Sequence, residues 1–234
     1  MAKLHRVRRN VTSKYRDFPF YIYFVHSIYN LYILYIICKS FFFRSRSFDE
    51  KRAVNWTQRI LSRRYALTAT GYKYLEIGIN VGPPSYVEIA VGDHRGNELI
   101  LSLETWKGLY EQRWNIQQLL RNDRRDAAIS AGPLTIHAIA INATKLIRLE
   151  SSNVRLTMIE STLQFMFTLD RCIDVTFDSL SNIIETVDTK FRQFWHAASS
   201  LTDTNEIANA IRVSDSFDKD HLVDCELLAL IFSM

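Results

Sequence analysis

Between Lys73 and Arg121 the spacing of apolar residues changes period, and that change limits the fold more than any other feature of the chain. In YKYLEIGIN, Leu75, Ile77 and Ile79 alternate with Tyr74, Glu76, Gly78 and Asn80. VGPPS breaks the run as a turn, and in YVEIAV the apolar Val87, Ile89 and Val91 alternate with Glu88 and Ala90. GDHRGN, with Gly92 and Gly96, reads as a hairpin loop, and LILSL sets Leu99, Leu101 and Leu103 on one face. A period of two with one dry side predicts half-buried antiparallel strands. The period then becomes helical. Trp106, Leu109, Tyr110, Arg113, Ile116, Gln117 and Leu120 follow at steps of three and four, so one helical face is packed. Ser102, with Thr105 close behind, is the expected N-cap, and Glu104 suits the positive end of the helix dipole.

A second unit of the same plan follows. LTIHAIAI, TKLIRLE, VRLTMIE and LQFMFTL each read as strands, and Asp170–Asp174 reads as a turn or short strand start. VTFDSLSNIIETVDTKFRQFW then reads as a helix with Leu180, Ile183, Ile184, Val187, Phe191 and Phe194 or Trp195 on one face. The two helix starts align at an offset of 74 residues, setting Leu103, Glu104, Thr105, Trp106 and Leu109 against Phe177, Asp178, Ser179, Leu180 and Ile183. If residues 53–70 supply a first strand, both units are four strands then a helix. The expected class is therefore α+β: two tandem units of about four antiparallel strands and a helix, near 53–125 and 132–200, within a domain over 53–200. Residues 201–234 read as a helical tail. There Asp203 with Glu206 forms a capping box before IANAIRV, and Asp215 or Ser216 is a candidate start for a helix through HLVDCELLALIF.

Composition excludes fibrous, low-complexity and wholly disordered classes: of 234 residues 47% are hydrophobic and 23% charged, with seven Gly and four Pro. The net charge of +4 is unevenly spread. Residues 1–52 hold 11 Lys/Arg against three Asp/Glu, net +8, whereas residues 201–234 hold two against seven, net −5. The head and the tail are thus opposite in sign, around a near-neutral body. Cys38, Cys172 and Cys225 form no CxxC pair and no Cys/His cluster, which fits a reducing compartment and no structural zinc.

The head admits three readings. Residues 18–38 carry no Lys, Arg, Asp or Glu over 21 positions, enough for a membrane anchor with Arg6, Arg8 and Arg9 on the cytoplasmic side. Against that stand His26, Ser27 and Asn30 within the stretch and Lys39, Arg44, Arg46, Lys51 and Arg52 beyond it. Sixteen of the 26 residues 18–43 are Phe, Tyr or Ile, as expected of translated AT-rich non-coding DNA, so a gene-model extension or a poorly structured leader is the second reading. A core helix is the third. The Asn-x-Ser/Thr triplets at Asn10, Asn55 and Asn142 matter only in a secretory setting.

No signature of catalysis stands out. There is no Gly-rich phosphate loop, no GxSxG and no HExxH. Asp93–His94 is flanked by glycines and reads as a turn, and Asp170 and Asp174 read as cap or solvent groups. No cofactor is expected.

HRGNELILSLETWKGLYEQRWNIQQLL resembles the end of the positive-cofactor-four transcriptional coactivator domain, through Leu101, Ser102, Leu103, Trp106 and Leu109. Four strands then a helix, given twice, is similar to the plan of Whirly and Pur-alpha proteins. The resemblance implies a sheet-and-helix fold that binds single-stranded DNA or RNA on its sheets, in transcription or replication. Such a face needs phosphate partners and stacking platforms. If the odd positions of the first unit pack inward, its outer face carries Tyr74, Glu76, Asn80, Tyr86, Glu88 and Glu98, with the tyrosines able to stack and the carboxylates repelling phosphates. The outer face of the second unit carries His137, Arg148, Arg155, Thr157, Gln164 and Met166. The candidate nucleic-acid-binding residues are therefore Tyr74, Tyr86, Arg95, His137, Arg148 and Arg155, helped by basic loops around Arg63, Arg64, Arg121, Arg124 and Arg125. The expected protein is nuclear or cytoplasmic and not an enzyme. Two alternatives are a protein-interaction module on the same fold and a membrane-anchored protein with an α+β body. A protein partner through the acidic C-terminal helix and self-association are further expectations.

Overall fold

Every alternating stretch of the first unit becomes a strand. A computed structural model describes residues 59–232 except 83, 122–127, 143 and 202, so the readings of residues 1–52 lie outside the described residues. Strands β1 (Arg59–Ala66), β2 (Lys73–Asn80), β3 (Tyr86–Asp93) and β4 (Glu98–Leu101) form one antiparallel sheet in that order. Strands β5 (Ala128–Ala131), β6 (Leu134–Ile141), β7 (Thr144–Glu150) and β8 (Arg155–Ile159) form a second sheet of the same order. The protein is α+β, two four-stranded antiparallel sheets each followed by helices. Among the described residues no helix is long and apolar enough to cross a membrane.

The helices after the sheets come in broken pairs. α1 (Leu103–Glu111) and α2 (Arg113–Arg121) follow the first sheet, and α3 (Glu160–Thr168) and α4 (Asp170–Ser181) follow the second. Ser102 caps α1 as its sequence predicts, its Oγ accepting from the Thr105 amide at 3.1 Å. LQFMFTL is not a strand. Its apolar residues satisfy both periods, and the helical solution buries Leu163, Met166 and Phe167 together with Thr162. Gln164 and Met166 therefore leave the sheet, and β5, made of the small and short AISA, supplies the missing strand.

This also corrects the repeat. The helix starts at Leu103 and Glu160 are 57 residues apart, as are the breaks at Gln112 and Leu169. In this register Leu101, Thr105, Trp106, Leu109 and Ile116 match Met158, Thr162, Leu163, Met166 and Ile173, all buried. An offset of 74 instead matches a helix start to the middle of α4.

The helices cross between the units. α2 packs on β6 and β7 of the second sheet, and α4 packs on β2 and β3 of the first. The core is therefore shared: Ile77, Ile79, Ile89 and Val91 belong to one apolar cluster with Ile136, Ile147, Leu149 and Ile173. Neither sheet covers its dry side with helices of its own unit alone. A polar tie crosses the same junction, where the indole Nε1 of fully buried Trp106 donates to Asp170 Oδ1 at 2.9 Å. Lys107 Nζ reaches the same oxygen at 2.9 Å and Asp174 Oδ1 at 2.6 Å. Asp170 and Asp174 are thus inter-unit partners rather than solvent groups.

The tail folds onto the body. α5 (Ile184–Ala198), α6 (Thr204–Val213) and α7 (Leu222–Phe232) pack on one another, and α7 meets β1. Asp203 caps α6, accepting from the amides of Asn205 at 2.9 Å and Glu206 at 3.1 Å. α7 starts at Leu222 rather than at Asp215 or Ser216, because the preceding turn is held by a buried carboxylate. Asp224 accepts from Lys190 Nζ at 2.7 Å, the Asp218 amide at 2.9 Å and His221 Nδ1 at 3.0 Å. Burial raises the pKa of this carboxyl, but the Lys190, Asp218 and His221 hydrogen bonds outweigh it and hold it below the ordinary value.

Candidate nucleic-acid interface

Each sheet has a second face, pointing away from the shared core, and the two faces are built differently. On the first sheet a bulge decides the chemistry. Ile60 pairs with Ile79 but Arg63 pairs with Ile77, so β1 carries one residue more than β2, with Leu61 at φ 52°. The extra residue brings Arg59 and Arg64, which strict alternation would separate, to the same face as Glu76 and Asn80. Gly78 lies opposite, where a Cβ would come within 2.8 Å of the Ser62 Cβ and 2.9 Å of the Arg59 Cβ.

Arg59 then neutralises the carboxylates that the sequence sets on this face. Its side chain is only 1% exposed. It holds Glu98 through two nitrogens at 2.9 and 3.2 Å and Glu88 through Nε at 2.7 Å, with Glu76 at 3.9 Å. Arg64 Nε donates to Glu76 at 2.7 Å, and Asn80 and Tyr86 donate to Glu88, each at 3.1 Å. Burial lowers the Arg59 pKa, but the hydrogen bond and charge of Glu98, with Glu88 and Glu76, raise it above the ordinary arginine value. Buried charges persist where they are paired in this way.

Tyr74 is part of this arrangement. It is 7% exposed, and its hydroxyl donates to Glu98 Oε1 at 3.2 Å. Its ring lies against Gly92, where a Cβ would meet the ring at 2.5 Å, and the Arg64 guanidinium sits 4.1 Å from the ring centroid. Neither side of the ring is bare for a base to stack on. Burial and then the Glu98 charge push the phenol up to about 12. Tyr86 is exposed at the start of β3, and Arg95 is exposed in the β3–β4 hairpin. Asp93 organises that hairpin, accepting from the Arg95 amide at 2.9 Å and the Asn97 amide at 3.3 Å.

The second sheet brings its candidates together. Cross-strand pairing puts Ala128, His137, Arg148 and Thr157 in one row. The next row is Ser130, Thr135, Glu150 and Arg155, and on the other side lies the apolar row Ile139, Leu146 and Ile159. Arg155 is 68% exposed and donates through Nε to Glu150 Oε1 at 2.7 Å. Arg148 is 33% exposed, and its Nε is buried without a hydrogen-bond acceptor, the nearest Glu150 oxygen being 3.7 Å away. A guanidinium donor left without an acceptor carries a desolvation cost, and the exposed third of the same side chain is the part an anion can reach.

The structure thus joins His137, Arg148 and Arg155 on one face and leaves Tyr74, Tyr86 and Arg95 on the other unit. Trp114, 64% exposed on α2, is missing from the sequence candidates. Its signal was its phase: it falls outside the packed set Trp106, Leu109, Tyr110, Arg113 and Ile116. Among the described residues no group of three or more His, Cys, Asp or Glu is placed to hold a metal ion. No protein-family model, curated protein or solved structure matches this chain.

Proposed function

We propose that this chain is a non-enzymatic protein that binds single-stranded DNA or RNA across the second face of its second sheet, on a plan like that of the Whirly and Pur-alpha proteins. The observation that carries the reading is Arg148, a buried Nε donor without an acceptor, in register with His137 and Thr157 and one row from Arg155. Arg148 and Arg155 meet phosphates, His137 and Thr157 donate or accept at sugars and base edges, and the Ile139–Leu146–Ile159 row supports the flat faces of bases. Such a protein works in the nucleus or the cytoplasm. The first sheet, neutralised by Arg59 and Arg64, has a structural part only.

Fluorescence anisotropy with labelled oligo-dT and oligo-rU at low salt tests this. Two phosphate contacts predict a slope of log K against log salt of about −1.4, and Arg148→Ala brings it closer to zero by about 0.7. Absence of binding at micromolar protein, or a slope that Arg148→Ala leaves unchanged, refutes the proposal.

The apolar row favours a second reading, a protein-docking face on the same fold. A pulldown whose partners survive nuclease treatment, together with no oligonucleotide binding, selects it.

A further inference from the structure

α2 has two sides. Ile116, Leu119 and Leu120 are buried toward β6 and β7. Trp114, Gln118 and Arg121 are exposed and stand at positions i, i+4 and i+7, so they form a strip along the helix. Because the buried side faces the sheet, the strip lies across the helix from the second sheet, on a surface separate from the His137–Arg148 row. Tryptophan is usually largely buried, so one that is 64% exposed on a well-packed helix needs an explanation.

The surroundings of Trp114 narrow what it meets. The Arg113 guanidinium lies 5.8 Å from the Trp114 ring centroid and 4.3 Å from that of Tyr110, and its Nη1 donates to the Tyr110 carbonyl at 3.1 Å. A cation is therefore fixed beside the exposed ring. Glu111 is exposed three residues before Trp114, at the end of α1, and from Trp114 onward the polar groups are amides and a cation: Asn115, whose Nδ2 donates to Gln112 Oε1 at 2.6 Å, then Gln118 and Arg121. A protein hot spot sits in an apolar, water-excluding surround, which this strip lacks. Aromatic stacking beside guanidinium groups and amides matches instead a nucleobase attached to a phosphate chain. Seven residues of helix rise about 10 Å, roughly three stacked nucleotides, so Trp114 and Arg121 are spaced for a base and a phosphate of one strand.

We infer that the exposed strip of α2 is a base-stacking site for single-stranded nucleic acid, with Trp114 as the platform, Arg113 as its fixed cation and Arg121 as the phosphate contact. This rests on the nucleic-acid reading above and adds a contact outside the sheet.

The test follows intrinsic tryptophan fluorescence and, in parallel, anisotropy of labelled oligo-dT, with the full chain as wild type, Trp114→Ala and Trp114→Phe. The expected result is quenching in the wild type, loss of most of that quenching in both variants, and binding weakened roughly 5- to 100-fold in Trp114→Ala and less in Trp114→Phe. Thermal melts of the variants matching the wild type show that the losses are not unfolding. Undiminished anisotropy binding by Trp114→Ala overturns this inference and leaves the nucleic-acid reading standing. No binding by the wild type overturns both.

Discussion

The two sheets share one strand order, but their second faces carry different arrangements of charge. The first sheet carries Glu76, Glu88 and Glu98 and answers them with Arg59, Arg64, Asn80, Tyr74 and Tyr86. The second carries one carboxylate between two arginines, Glu150 beside Arg148 and Arg155, and leaves a guanidinium nitrogen without an acceptor. The difference is one of satisfaction. A network whose donors and acceptors match holds a fold together and offers a ligand nothing, whereas a surplus donor is something a ligand can use.

The comparison breaks most readily at Arg59. Arg59→Met leaves buried carboxylates without their cation and costs about 3 kcal/mol or more, read from urea denaturation. A loss under about 1 kcal/mol would mean that the first face is not held by this network. Next comes the tie between units. Trp106→Phe removes a hydrogen bond to a carboxylate in a buried position, with an expected loss of about 2 kcal/mol. Because α2 and α4 cross between the sheets, both sheets should still melt in one transition.

Tyr74 gives a pH signature of the same face. Its phenol is held protonated up to about 12, above the ordinary tyrosine value of about 10. The folded form therefore binds the proton more tightly than the unfolded form. This contribution to stability is fully present below pH ~10 and is lost as pH rises toward 12. Denaturation at pH 9 and pH 11 should show this extra loss in the wild type and not in Tyr74→Phe. The smallest effect belongs to the other sheet. Arg155→Ala, whose partner Glu150 is on the surface, should change stability by no more than about 0.5 kcal/mol.

Much of the fold was legible in the sequence, for identifiable reasons. Alternation in β2, β3, β4, β6 and β7 is regular, and Ser102 and Asp203 carry their capping chemistry in their side chains. LQFMFTL was not legible, because Leu163, Phe165 and Phe167 alternate while Leu163, Met166 and Phe167 also fit a helix, and only packing chooses. β5 was lost because AISA is four residues long with a single bulky apolar side chain, Ile129. The correct repeat offset of 57 residues depended on that choice. The site was legible in part. His137, Arg148 and Arg155 share a face because simple alternation holds in the second sheet. Tyr74 read as a free platform because its cover depends on a glycine one strand away and on Arg64. Arg64 and Arg59 reach that face together only through the bulge at Leu61, a one-residue event that periodicity does not register.

The central claim is that the second sheet binds and the first does not. The direct measurement is oligo-dT affinity at low salt for three proteins: wild type, Arg148→Ala on the second sheet, and Arg64→Ala on the first. Arg64 is the first-sheet control because its side chain is 42% exposed and, unlike Arg148, its Nε and Nη2 are both paired, with Glu76; thermal melts check that the variant lacking this pair stays folded. The account predicts weaker binding and a shallower salt dependence for Arg148→Ala, and wild-type binding for Arg64→Ala. Equal losses in both, or a loss in Arg64→Ala alone, would contradict it.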